Sequence, residues 1–571
     1  MADISRTKSF IWGVADTLRG DYKQHEYGDI VLPFVVLRRL DCVLEPTKDK
    51  VLGACEKYNG TNMEATMCKK ASGSDFYNLS RFTMTKLVDD AGSIKENLVD
   101  YVLGFSENAR EIFDYFKFED TVSSLDDNDL LFQVVENFVK VDLGPDALSN
   151  SDMGDIYEWL LRRFSEMSNE TAGEHYSPRD GLALAVDIIT AEAEEDLTIP
   201  GRIISCYDPC CGTGGALSIF EDKVLEYNSQ ATVNVYGQEL NDITYAMCKA
   251  DILLKGGNPE NIRRGNTLNS DQFKGDTFGY IVSNPPYGVD WKKVQSDVLK
   301  EAKTQGYSGR FGAGTPRVSD GQLLFLQHMI SKMRPREDGG ARIAVFMNGS
   351  PLFTGGAGSG ESEIRRWVLE NDLLEAIIAM PNDFFFNTGI ATYIWVLNNK
   401  KPVYRKGKVQ LINANGIYSS MRKNLGSKRC EISEKQRARI VAEYTAFKES
   451  DICKIFDTTE FGYTAVTIER PLLDEMGNVE TDKKGHPKPD NKLRDTENIP
   501  LAQDIDEYFQ REVVPYASDA WMDRKKDKVG YEIPFTRYFY QYTPLRTSAD
   551  ILAEIRALEA SIADKLQKAQ A

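Results

Sequence analysis

No stretch of the 571-residue chain approaches the ~18 consecutive apolar residues needed to cross a bilayer. No signal-peptide pattern follows Met1, so the expectation is a cytoplasmic protein with no membrane contact. Cysteines are few and odd in number, nine in all, scattered from Cys42 to Cys453. A secreted disulfide framework needs even, clustered spacing, so reduced thiols are expected. Histidine is scarcer still. His25, His175, His328 and His486 are the only four, and none has cysteine or acid neighbours at ligand spacing, so no metal is expected. Positive charge is in deficit as well, with 69 Lys and Arg against 87 Asp and Glu and a formal net charge of −18. Holding a polyanion by its phosphates requires clustered cations, so the lone chain should grip DNA poorly and depend on a basic partner. One segment departs from this. Residues 400–439 hold twelve cations, Lys400, Lys401, Arg405, Lys406, Lys408, Arg422, Lys423, Lys428, Arg429, Lys435, Arg437 and Arg439, against Glu431 and Glu434. They read as a phosphate-contacting stripe or as an ordinary solvated surface.

The length implies about three folding units at roughly 100 to 200 residues each. Residues 1–167 carry helical periodicity, for example Ile30, Val31, Phe34, Val35, Leu37 and Leu40 on one stripe, and read as an N-terminal helical domain. Between 168 and 470, helices alternate with short β-branched runs at 202–207, 231–236, 280–283, 341–347, 373–379 and 393–397. That alternation predicts an α/β, Rossmann-like open sheet whose strand ends carry the chemistry. Residues 471–571 form a C-terminal region. It has a polar, turn-rich insertion or linker at 474–498, then a terminal helix from Ser548 with Ile551, Ile555, Leu558, Ile562 and Leu566 on one seam, facing either a partner helix or its own domain.

The first chemical signal is Asp208, Pro209, Cys210, Cys211, Gly212, Thr213, Gly214 and Gly215, directly after the run 203–207. Glycines let backbone pass close to a ligand, and Asp208 places a carboxylate at a strand tip. The spacing is not the dinucleotide G-x-G-x-x-G, and no G-x-x-x-x-G-K-[ST] occurs, which disfavours a nicotinamide enzyme or an ATP motor. The glycines at 355–360 lack a P-loop lysine and read as a mobile loop. A carboxylate suits the ammonium and sulfonium charges of S-adenosylmethionine better than it suits a pyrophosphate. One βα unit later, Glu239 ends the next strand, where an acid can bind both ribose hydroxyls.

The strongest signal is Ser283, Asn284, Pro285, Pro286, Tyr287 and Gly288, emerging from the apolar run 280–282. Two prolines end the strand and fix a rigid turn without N–H groups. An aromatic exocyclic amine is a weak nucleophile because its lone pair is delocalised. If the Asn284 side-chain oxygen and the Pro285 carbonyl accept its two N–H bonds, the nitrogen is drawn toward tetrahedral geometry and the lone pair is freed. Tyr287 is placed to stack on the base, which has to leave a duplex to be reached.

These motifs together resemble the modification subunit of type I restriction-modification systems, the amino-methyltransferase family that makes N6-methyladenine in DNA. The likeness covers nearly the whole chain, from the helical start at 10–20 to the segment at 528–536 and the closing helix, which look like the region that engages a specificity subunit. The resemblance implies a class I methyltransferase fold, S-adenosylmethionine as cofactor and DNA as substrate. It also implies specificity and restriction/translocase subunits as partners, with a second copy of the chain in the complex. Site by site, it assigns Glu174, His175, Tyr176, Ser177, Pro178, Asp208, Gly212, Thr213, Gly214 and Glu239 to the cofactor, together with Asn266, where the family often has an aspartate for the adenine ring. Asn284, Pro285, Pro286 and Tyr287 go to catalysis. Phe385 and Phe386, in a run of three phenylalanines, lie where relatives place aromatics near the flipped base, with a core role as the alternative. Competing functions are methylation of RNA or of a protein glutamine, and a non-catalytic scaffold that holds DNA or partner subunits.

Overall fold

The computed structural model describes residues 4–168, 177–386, 389–540 and 547–570. The first unit, residues 1–533, opens with helices wrapped around Tyr27–Leu44, whose apolar residues recur on every side rather than on one stripe. A helix apolar all round has to be buried all round, and all but two of its residues are buried. The polar exceptions inside it are paired, apart from the Arg39 Nε. Arg38 pairs with Asp41 at 2.7 Å, Asp41 accepts from the Tyr101 hydroxyl at 2.6 Å, and Arg39 donates to the Leu148 carbonyl at 3.0 Å. The same apolar core takes in Ala246, Met247, Ala250 and Leu253 from the helix Asp242–Leu254. The helical layer therefore shares its interior with the α/β part, and Lys249 seals the seam by donating to Glu111 at 2.7 Å.

The α/β part is built on β1 (Ile203–Asp208), β2 (Thr232–Glu239), β3 (Ile262–Arg264), β4 (Tyr280–Ser283), β5 (Arg342–Asn348), β6 (Leu374–Ala379), β7 (Thr392–Asn398) and β8 (Lys408–Asn413). A separate two-stranded ribbon, β9 (Ser419–Leu425) with β10 (Lys428–Glu431), follows, and then β11 (Cys453–Asp457). The nine-stranded sheet runs β11-β8-β6-β7-β5-β4-β1-β2-β3. β7 is antiparallel to both its neighbours and β11 is antiparallel to β8, while the other pairs are parallel. The order reverses between β1 and β4, which pair directly through Cys206 with Tyr280 and Tyr207 with Ile281. A crevice at the carboxyl ends of strands forms at such a reversal. The apolar runs expected at β1, β4, β5, β6 and β7 are strands to within one residue at each end, and β2 runs three residues beyond its expected end at 236. β3 is too short and too charged, and β8 too mixed, to stand out as a run.

A second sheet is built from β12 (Gly462–Glu469), β13 (Asp495–Pro500), β14 (Trp521–Met522) and β15 (Lys528–Tyr531), with β12 pairing to all three others. The insertion at 474–498 is not a plain linker. Two successive aspartate-capped turns order it, Asp474 accepting from the Asn478 backbone N–H at 2.8 Å and Asp482 from that of His486 at 3.0 Å, and its end is already β13. Of the glycines at 355–360, Gly360 is packed, since a Cβ there would lie 1.8 Å from the Thr315 carbonyl oxygen, and Gly355 is packed against Ser359, while Gly356 faces open space. The second unit, residues 534–571, contains the helix Ser548–Gln570, on which Ile551, Ile555, Leu558 and Ile562 are exposed. The Leu566 side chain lies outside those described. No described helix is long and apolar enough to cross a membrane.

The second sheet is joined to the first through Arg365 on the helix Gly360–Glu370. Its buried guanidinium donates to the carbonyls of Tyr531 (2.6 Å), Pro351 (3.0 Å), Thr354 (2.8 Å) and Gly355 (3.0 Å). Replacing it with leucine leaves these acceptors without their donor, at a cost on the order of 3 kcal/mol. We expect Arg365→Leu to lower the urea midpoint of the 571-residue protein, followed by circular dichroism; an unchanged midpoint refutes this reading of the joint.

Candidate functional site

At the reversal, β1 and β4 end side by side. Asp208, the last residue of β1, is almost fully buried and accepts from the Ser283 hydroxyl at 2.7 Å and from the Cys210 backbone N–H at 3.0 Å. Burial pushes its carboxyl up to about 7, against the lowering effect of the Ser283 and Cys210 hydrogen bonds. The glycine loop turns from β1 into the helix Gly215–Tyr227 through Gly212 and Gly214, both in the left-handed region at φ 54° and 84°. A Cβ added at Gly212 would meet open space. Glu239, at the tip of β2, accepts from the backbone N–H groups of Gly212 and Asn241, each at 2.8 Å, one to each carboxylate oxygen. Each oxygen keeps a lone pair for a further donor.

From β4 the chain passes into the turn 284–287. The Asn284 amide is held from two sides: its Nδ2 donates to the Ser177 hydroxyl at 2.8 Å, and its Oδ1 accepts from the Tyr287 hydroxyl. An amide group is nearly symmetric in shape, so the donor end has to be pinned if the oxygen is to face one way. Ser177 does the pinning from a position 107 residues away in the chain. Pro178, next to it, is buried and caps the helix Arg179–Ala191. Burial raises the Tyr287 phenol well above its ordinary value, so it stays protonated and a donor. Asn284 and Pro286 line one cavity of about 960 Å³ together with Cys210, Glu239, Asn266 and Thr267. Thus the two motifs, about 70 residues apart, converge on one space, as expected where strand order reverses.

The other wall of that cavity was not legible as a motif. Val289, Trp291, Lys293 and Phe325 line it, and behind it stands Arg310. The Arg310 guanidinium donates to the Thr267 carbonyl at 2.6 Å and the Leu268 carbonyl at 3.0 Å, and pairs with Glu301 at 2.6 Å. Thr267 in turn donates to the Pro209 carbonyl at 2.5 Å. An arginine on one inserted segment therefore fixes the loop after β3 and, through it, the loop after β1. His328, fully buried, accepts from Arg310 through Nδ1 at 3.1 Å, which leaves Nε2 facing the Tyr207 hydroxyl at 3.0 Å. Burial, helped by the Arg310 charge, lowers it to about 3, so it remains neutral. No spacing of Glu301, Arg310 and His328 in the sequence announces this clamp. Asn266 lines the cavity, but its side-chain oxygen also accepts from the Leu268 backbone N–H at 3.0 Å.

The two aromatic candidates separate. Phe385 stands edge-on to Tyr287 at 6.1 Å between ring centroids and also contacts Phe346. Phe386 lines a different cavity with Trp159, Arg162 and Pro178, and the Arg162 guanidinium lies 5.4 Å from its ring centre. Both phenylalanines are buried. Glu174, His175 and Tyr176 lie outside the described residues.

The pattern that defines the N-6 DNA methylase family matches residues 148–468, more than half of the chain, and that of the HsdM N-terminal domain matches residues 7–138. The type I restriction enzyme MjaIX methylase subunit of Methanocaldococcus jannaschii is 26% identical over 462 residues, covering 77% of each chain. The MjaVII methylase subunit of the same organism is 24% identical over 380 residues, covering 64% of this chain and 62% of its own length. Among solved structures, a type I restriction-modification methyltransferase subunit from Streptococcus thermophilus aligns with a TM-score of 0.61 at 21% identity, over 80% of this chain and 96% of that one.

Two expected outcomes follow from the site's electrostatics and its clamp. A cationic ligand beside Asp208 favours the carboxylate, so between its ordinary value and about 7 binding of S-adenosylmethionine should release a proton. The affinity then rises with pH up to about 7 and is flat above. Calorimetry in buffers of different ionisation heat measures this, and Asp208→Asn should abolish the proton release; release that persists in the variant sinks the assignment. Arg310→Ala should weaken S-adenosylmethionine binding about 10-fold or more by freeing two carbonyls of the cavity wall, and an unaltered dissociation constant by the same calorimetry counts against the clamp.

Proposed function

The chain belongs to the N-6 DNA methylase family, as the S-adenosylmethionine-dependent DNA methyltransferase subunit of a type I restriction-modification system, and from that premise we propose how its residues divide the work. Asn284, Pro285 and Tyr287 receive an adenine whose N6 amine is to be methylated, while Asp208, Gly212, Thr213, Gly214, Glu239 and Asn266 hold the cofactor. The observation that carries this reading is the shared cavity: the pinned Asn284 amide and Pro286 face the same space as Glu239 and Asn266.

The residues present fit the cofactor. The cavity of about 960 Å³ is within the range that takes a nucleoside-sized ligand. Glu239 keeps lone pairs for two ribose hydroxyls, Asp208 offers negative charge, and the space beyond Gly212 lets a ligand lie against bare backbone. When bound, S-adenosylmethionine supplies an electrophilic methyl group on a sulfonium.

On the other side, the Asn284 oxygen and the Pro285 carbonyl accept the two N–H groups of the amine and localise its lone pair for direct attack. The Tyr287 hydroxyl gives up its bond to Asn284 as the amine arrives, and its ring supports the base, with Phe385 backing it edge-on. No side chain has to remove a proton first, since both N–H groups are already held by acceptors and one proton leaves along such a bond after transfer. Most of the rate comes from positioning and polarisation. Sequence choice and cleavage fall to the specificity and restriction subunits. A duplex site with an adenine on each strand calls for two catalytic centres, so the reading includes a second copy of this chain in the assembly and a cytoplasmic location, where the DNA is.

The test is tritiated methyl transfer by the assembled enzyme, offered DNA, RNA and protein. Label should enter DNA alone. Asn284→Ala should cut kcat by about 10²- to 10³-fold with little change in cofactor affinity. DNA labelling that survives the substitution, or label in RNA or protein instead, overturns the assignment.

A further inference from the structure

The structure divides the cation-rich segment 400–439 into three groups, of which the last, Lys435, Arg437 and Arg439, lies on the helix Glu434–Ala446, with Arg437 3.8 Å from Asp187. Lys400, Lys401, Arg405, Lys406 and Lys408 sit where β7 ends and β8 begins. Because β7 is antiparallel and β8 parallel to the strands that end at the cavity, this is the opposite edge of the sheet. Lys401 pairs there with Asp372 at 2.5 Å, Arg405 with Glu192 at 2.5 Å and Lys408 with Asp457 at 2.9 Å. Those three charges are occupied, Lys400 and Lys406 are exposed, and all five lie at the end of the sheet away from the site.

The second group lies on the ribbon of β9 and β10. It is a separate sheet of two strands, its inward residues root it on the segment 383–386, and Met421, Leu425 and Lys428 line the second cavity together with Pro178 and Phe386. The backbone N–H of Ser427 donates to the Phe386 carbonyl at 2.7 Å, and that of Arg429 to the Asp383 carbonyl at 2.8 Å. Lys428, buried, sits 3.8 Å from the Phe384 ring centre and pairs with Asp180 at 3.2 Å. The ribbon is thus fastened to the very segment whose Phe385 touches Tyr287, and to the start of the helix that follows Ser177. Its outward residues differ. Arg422, Lys423 and Arg429 are exposed, and among the described residues none of them has an ion pair. Between 419 and 431 the sole acid is Glu431. In a chain of net charge −18, three unpaired cations on a projecting ribbon are a local reversal of sign.

We propose that this ribbon, residues 419–431, grips the DNA backbone beside the extruded base, with Arg422, Lys423 and Arg429 on phosphates flanking it; the proposal rests on the DNA-methylating reading above. A base reaches the cavity only if its backbone is rotated out of the duplex. The flanking phosphates then come to the mouth of the site, where an acidic surface repels them and a rooted cationic ribbon holds them. The contact is with phosphate, so it carries position and affinity rather than sequence choice.

The experiment uses the assembled modification enzyme with full-length chains, comparing wild type, R422A/K423A/R429A and, as a charge control at the opposite edge, K400A/K406A. The slope of log affinity for target DNA against log salt should fall by about 2 to 3 in the triple variant, at about 0.9 per phosphate. The KM for DNA near physiological salt should rise about 10-fold or more, while kcat at saturating DNA and cofactor affinity stay at wild-type values. The control should match wild type. A triple variant with the wild-type slope and KM overturns the proposal, as does a control that loses as much, since that marks net charge rather than place. Wild-type enzyme that puts no methyl on DNA overturns the earlier reading as well, and is told apart by that result alone.

Discussion

The side-by-side ending of β1 and β4 is the constraint on which the site depends. Sheet order reverses there, so the loops that follow the two strands turn away to opposite sides and leave a space between them. The hydrogen bond from Ser283 to Asp208 crosses that gap at the strand tips and holds the loops in register with each other. It also satisfies a carboxyl taken almost entirely out of water, which would otherwise be costly to bury. The glycine turn and the diproline turn are local structures, each stable by its own backbone chemistry. Only their fixed separation lets the two turns line a single chamber, as the proposed division of work between them requires.

Around this join, rigidity comes from residues that never face the chamber. Arg310 makes two hydrogen bonds to carbonyls of the wall and spends its remaining donors on Glu301 and His328, so no part of the guanidinium is free to wander. Ser177 settles which way the Asn284 amide points. Preorganised dipoles lose nothing to rearrangement when charge develops, and that is where electrostatic catalysis gains most of its advantage over water. The helical layer adds to the same stiffness by sharing its core with the helix Asp242–Leu254, which begins three residues beyond Glu239.

The sheet was readable because strands buried on both faces are written as unbroken apolar runs, as in Tyr280, Ile281 and Val282. β3 escaped because two of its three residues are arginines, and the β9 and β10 ribbon because its few apolar residues, Met421, Leu425 and Cys430, stand among polar and charged ones. The site was readable where chemistry compresses into a short motif, in the glycine loop and at 284–287. Family resemblance added the roles of residues whose types alone say little, Ser177 and Pro178 among them. What stayed hidden were contacts between distant segments: Ser177 with Asn284, Arg310 with Thr267, Lys428 with Asp180. Each joins common polar residues at unremarkable spacing, and only folding brings them together. The cation-rich segment could not be divided from sequence for the related reason that charge counted along a chain ignores which partners the fold supplies.

Two glycines of the cofactor region are packed against sulfur. A methyl group at Gly214 would lie 2.9 Å from the Cys248 thiol, and one at Gly237 would lie 2.7 Å from that of Cys211, and the two thiols are themselves 3.9 Å apart. These four positions therefore form one steric lock, and no member can grow unless a neighbour shrinks. Across related proteins, alanine at position 237 should travel with a smaller residue in place of Cys211, whereas Gly214 is held by its left-handed backbone as well as by the sulfur, so that covariation records how closely the backbone passes.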